Sequence, residues 1–91
     1  MVKCKELIDA VRPDAESLDM AISEKFYDRD YQCAFYAKDC ELIFDEQNQL
    51  LQRYNDDNFL VATKDVTDLD GAIRDVIEFG NNGEISEEEP Y

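Results

Sequence analysis

The sequence predicts an α+β fold: a four-stranded antiparallel meander packed with two N-terminal helices and one C-terminal helix. Three observations carry this expectation. Apolar residues recur at steps of three and four through residue 26, the period changes to two between residues 31 and 64, and helical spacing returns after Thr67. The polar links between the alternating runs are short, which suits consecutive antiparallel strands.

Cys4, Leu7, Ile8 and Val11 share one helical face, so a first helix is expected over 3–11, with Pro13 interrupting it. Ala15, Leu18, Ala21, Ile22 and Phe26 predict a second over 14–26, ended by the polar YDRD. The strands are expected at 31–37 (YQCAFYA), 40–45 (CELIFD), 50–54 (LLQRY) and 59–64 (FLVATK). Lys38-Asp39, Glu46–Gln49 and Asn55–Asn58 connect them, the last as a turn of Asn and Asp that satisfies local backbone groups. A closing helix is expected over 68–79, with Thr67 as N-cap, Asp70 in the reciprocal capping position and Gly80 as C-cap. Residues 1–80 then form one α+β domain, and 81–91 (NNGEISEEEPY) an acidic, flexible tail.

Charge is the strongest compositional feature. Twenty-three acids against nine bases give a net charge of −14 in 91 residues. Solubility is met by a magnitude of roughly 2–8 in a small domain, and the excess costs stability through self-repulsion. Residues 1–38 are nearly balanced at −2, whereas residues 39–91 carry −12. Such a field repels nucleic acid and anionic membranes, so neither is expected as a direct partner. It attracts cations or a basic protein.

Catalytic and metal chemistry find few supports. There is no histidine, which removes the usual general base and metal ligand. The three glycines form no phosphate-binding loop. DVTDLDG is reminiscent of a calcium loop, but Val66 and Ile77 stand where the first and twelfth ligands belong. Cys4, Cys33 and Cys40 lack CxxC spacing. Their odd number and the polar N-terminus point to reduced thiols in a cytoplasm, with Cys4 on an apolar helix face, buried and inert. Phe26, Tyr27, Tyr31, Phe35 and Tyr36 lack the basic groove that base stacking requires, so packing is their expected role. No enzyme, cofactor or metal is therefore expected.

The carboxylates remain as candidate site residues. A meander brings Asp45, Glu46, Asp65, Asp68 and Asp70 to one end of the sheet and Asp39, Asp56 and Asp57 to the other. Asp70, Arg74 and Glu78 form a row along the last helix with Asp75 beside it, its neighbours about 5–6 Å apart. An ordered carboxylate array of that spacing fits the basic groove of a DNA-binding protein. In these respects the chain resembles the small acidic DNA-mimic inhibitor proteins of phages and mobile elements. That group includes inhibitors of nucleoid proteins, restriction enzymes, uracil-DNA glycosylase and CRISPR effectors. The resemblance lies in size, charge and solubility, is carried best by residues 39–91, and assigns no individual residue. It implies a non-enzymatic inhibitor of a basic host DNA-binding protein, such as the nucleoid protein HU, acting in a bacterial cytoplasm. The rival expectation is a cytosolic adaptor that binds through an apolar or sheet-edge surface, with its charge serving solubility.

Overall fold

The computed structural model describes residues 1–25 and 29–85, and the backbone of 89–90. Phe26 and Tyr27 of the expected aromatic group, and Glu87 and Glu88 of the expected tail, lie outside the described residues. The elements follow in the order α1 (Cys4–Ala15), β1 (Ala21–Ser23), β2 (Gln32–Ala37), β3 (Cys40–Asp45), β4 (Leu50–Tyr54), β5 (Leu60–Asp65), α2 (Leu69–Asn82) and β6 (Glu89–Pro90). The strands pair consecutively and antiparallel, as an all-neighbour meander.

The four expected strands form β2 to β5. The expected count of elements is corrected in two places. A five-stranded antiparallel sheet, with the two-residue β6 added along β5, replaces four strands. Two helices replace three. The first helix runs through Pro13 to Ala15. Proline there removes the backbone N–H that would bond to the carbonyl of Asp9. The second expected helix is absent, because the chain reverses after Ala15. Met20 N–H bonds back to Ala15 O at 2.9 Å, and Asp19 takes a left-handed φ of 55°. This is the helix-ending geometry of a Schellman-like turn. Ala21–Ser23 then pair with Tyr36–Ala34. The apolar residues that mimic a helical stripe are instead divided. Ala15 and Met20 are buried, and Leu18 and Ile22 pack on the same core from a turn and a strand.

Alternation in the strands sorts side chains onto two faces. Cys33, Phe35, Leu42, Phe44 and Leu51 point to the helices and are buried with Leu7, Val11, Val76 and Phe79. Phe35, Phe44 and Phe79 are the largest fully buried side chains, each worth about 1.5–3 kcal/mol of transfer free energy. The other face carries Tyr36, Glu41, Ile43, Gln52, Tyr54 and Thr63, set by the pairings Tyr36↔Glu41↔Tyr54 and Ile43↔Gln52↔Thr63. Both helices pack on the first face.

Three bonds from a loop fix where α1 begins. Gln49 Nε2 donates to Val2 O at 2.8 Å, and Val2 N–H donates to Gln49 Oε1 at 2.9 Å. Glu46 Oε1 accepts from Cys4 N–H at 2.7 Å, which places a carboxylate at the positive end of the helix.

α2 is capped differently from expectation at both ends. Asp68 is the N-cap, accepting from Gly71 N–H at 2.6 Å, so Thr67 lies outside the helix. Asp is a strong N-cap because its carboxylate also favours the helix dipole. The helix passes through Gly80 and ends at Gly83, which has φ 77° and bonds to Phe79 O. Gly80 serves contact instead: a Cβ there would stand 2.9 Å from Leu18 Cδ1. Ile85, just beyond, is buried in the core. Gly83→Ala is expected to lower the unfolding free energy by about 1–2 kcal/mol, read from the urea midpoint, because alanine resists the left-handed conformation. A helix ending at Gly80 would leave that substitution nearly neutral.

Candidate functional site

Strand direction places the acidic residues at two ends of the sheet. The Asp45↔Leu50↔Asp65 row, the 46–49 loop and the start of α2 define one end. The β2–β3 and β4–β5 turns define the other. There, Asp39 and Asp56 line an open cleft of about 440 Å³ together with Asp19 and Glu41. Asp19 and Glu41 were not among the expected site residues. The outward position of Glu41 in the alternating β3 was the signal available for it. Burial pushes the Glu41 carboxyl above its ordinary range.

The ten expected carboxylates divide by what they touch. Asp75 is buried at 3% exposure. It lies in the helical stripe of Ala72, Val76 and Phe79 and accepts from Lys64 Nζ at 2.9 Å. Arg74 Nε is 4.0 Å from the same oxygen. Lys64 is on the core face of β5, opposite Leu51. Charge on the inner face of a strand thus meets charge on the inner face of a helix. Asp75 therefore does not extend an outward acidic row, and a phosphate-like role would break its contact with Lys64.

Asp45 is also buried, at 6% exposure. Its carboxylate accepts from Asn48 N–H and Asn48 Nδ2 at 3.1 Å each, and from Gln32 Nε2 at 3.2 Å. Burial pushes its acidity down, but bonds from Asn48, Gln32 and the Gln47 backbone outweigh this and hold the carboxyl below its ordinary value. Glu46 is half-buried and holds the start of α1, with Lys3 Nζ 3.9 Å from its second oxygen. Asp68 caps α2. Glu78 is half-buried on the same helix.

The remainder face water. Asp39, Asp56, Asp57, Asp65 and Asp70 are exposed, with no cation in ion-pair distance among the described residues. Asn55 shapes the turn that holds two of them. Its Oδ1 accepts from Asp57 N–H and Phe59 N–H, both at 3.0 Å. Phe59 itself is 67% exposed. Strands of five to six residues separate the two acidic ends by roughly 17–20 Å. Among the described residues no group of three His, Cys, Asp or Glu side chains is arranged to hold a metal ion. No helix is long and apolar enough to cross a membrane.

The chain matches no family model, no curated protein and no solved structure.

Two substitutions separate the structural carboxylates from the exposed ones. Lys64→Met strands a buried carboxylate and is expected to cost about 3 kcal/mol in urea unfolding, whereas Lys64→Met with Asp75→Leu recovers most of that loss. Asp45→Asn is expected to cost about 1–2 kcal/mol at neutral pH. Because the folded Asp45 carboxyl is more acidic than the unfolded one, its stabilisation is full above the unfolded value of about 4 and disappears as pH falls through the folded value. The gap between wild type and Asp45→Asn in a pH series of urea midpoints should therefore close on acidification.

Proposed function

We propose that the protein is a non-enzymatic DNA mimic that blocks the DNA-binding surface of a basic protein, with a bacterial nucleoid protein such as HU as the narrower assignment. The observation that carries this reading is the set of exposed aspartates at both ends of the sheet, which the fold itself does not use. The net charge of −14 on a body of 28 × 27 × 26 Å gives a strong negative field of the sign that a groove built to receive phosphates attracts. Asp39, Asp56, Asp57, Asp65 and Asp70 are the contacting groups in this reading, and the short strands hold them in fixed relation. Their field also steers a cationic partner into encounter. The protein acts where such partners are found, in the cytoplasm of a bacterium, and a phage or mobile element is its fitting source.

A second reading, an adaptor that docks through an apolar surface, draws support from Phe59, a large ring left exposed beside Asp56 and Asp57.

Titration of purified HU with the protein tests both. Mimicry predicts binding that duplex DNA displaces and that weakens on the order of a hundredfold between about 50 and 200 mM salt. Changing Asp56, Asp57, Asp65 and Asp70 together to Asn, with Asp45 and Asp75 retained, should abolish binding and leave the urea midpoint unchanged or raised. Binding that survives this change, ignores salt and is lost in Phe59→Ala supports the adaptor.

A further inference from the structure

The chemistry least used by the fold lies at the start of α1. Cys4 is the first residue of that helix, 6% exposed, and Cys33 is on the inner face of β2 with no exposure. Cys4 Sγ is 3.9 Å from the carbonyl of Phe44, the residue paired directly with Cys33 across the β2–β3 ladder. Both thiols lie in the one core cluster beneath α1, close enough to shift each other's acidity. Cys33 and Cys40, the pair that flanks the hairpin in sequence, are not partners: Cys40 pairs with Ala37. All three cysteines are free.

The two thiols differ. The neighbouring Cys33 thiol draws Cys4 below the ordinary thiol value, against opposing burial and the Glu46 and Asp45 carboxylates. The same contact, together with burial, pushes Cys33 up. Cys4 also lines an open cleft of about 310 Å³. Lys5, Asp9, Glu24, Lys25, Asp30 and Glu46 surround that opening, four carboxylates against two ammonium groups. Lys25 is already bridged to Asp30 at 3.1 Å. A small neutral oxidant can approach Cys4 through this rim, and an anionic disulfide is repelled.

We propose that Cys4 and Cys33 form a peroxide-oxidisable dithiol, in which Cys4 is the attacking thiolate and Cys33 the resolving thiol. The Cys4 thiolate attacks one oxygen of hydrogen peroxide. The O–O bond breaks, hydroxide leaves and takes a proton to become water, and Cys4 becomes a sulfenic acid. Cys33 sulfur then attacks the Cys4 sulfur. The S–O bond breaks, and the departing hydroxyl leaves as water with the Cys33 proton. Two thiols and one peroxide thus give one disulfide and two waters. The product ties the first turn of α1 to the central β2–β3 ladder.

The test uses the full reduced chain and hydrogen peroxide. Free thiols counted after denaturation should fall from three to one, and dithiothreitol should restore them. Peptide mapping without reductant should find Cys4 linked to Cys33, and Cys40→Ser should give the same link. Oxidised glutathione should react at least about tenfold more slowly than peroxide, through repulsion at the acidic rim. In Cys33→Ser, which keeps a donor beside Cys4 but no resolving sulfur, the reaction should halt at the Cys4 sulfenic acid, captured by dimedone. The oxidised chain should unfold at a higher urea midpoint, because the link restricts the unfolded chain. A map showing Cys40 in the disulfide, or three thiols persisting under peroxide, overturns the proposal without reference to any variant's folding.

Discussion

The register of the β2–β3 hairpin is the constraint on which the other contacts depend. Phe35 opposes Leu42 and Cys33 opposes Phe44, and all four face the helices. A slip of one residue would turn this set to the open face and place Glu41 and Asp45 in the core. The two-residue turn fixes the register. Lys38 and Asp39 both adopt left-handed φ, 55° and 61°, which twists the hairpin in the direction that its strands require. Neither residue is glycine, so the turn carries a left-handed cost, chiefly at Lys38, that the packing of the hairpin offsets. From this hairpin the meander adds β1 on one side and β4 and β5 on the other, and both helices close over one face.

The excess of acidic residues does two kinds of work. Glu46, Asp68, Asp45 and Asp75 hold the start of α1, the start of α2, the β3–β4 loop and the β5–α2 contact. Each has donors arranged about it, and these groups stabilise the fold despite their charge. The exposed aspartates at the sheet ends offset some of that gain through mutual repulsion. The separation is physical: donors matched to the carboxylate on one side, exposure without a partner cation among the described residues on the other. The binding role we propose draws on the second group.

Much of the architecture was legible because it follows from period. The four central strands, their turns and the closing helix were expected within a few residues, since alternation and helical spacing are local properties. The misread segment, 14–25, has apolar residues at helical spacing, but its conformation is decided by the reversal at Asp19 and by pairing with β2. Asp75 was read as outward because it is charged, although its spacing from Ala72 and Phe79 places it in the inner stripe. The inward Lys64 on another element, with Arg74 at 4.0 Å, makes that position tolerable, and the pairing with Lys64 is not visible in either segment alone. The capping glycine moved from Gly80 to Gly83 for a similar reason. Contact with Leu18 and burial of Ile85 carry the helix past the first glycine. Of the candidate site, the gathering of acids at two ends followed from strand order, while the tasks of individual carboxylates depended on partners distant in sequence.

The short β6 has a consequence for how this sheet meets others. It pairs Ala62 with Pro90 and Thr63 with Glu89 along the outer side of β5. Proline supplies no N–H for a further strand, so that border is a poor template for extension. The opposite border is β1, three residues long. Lateral growth of the sheet is thus disfavoured at the middle of the β5 border, where β6 covers Ala62 and Thr63.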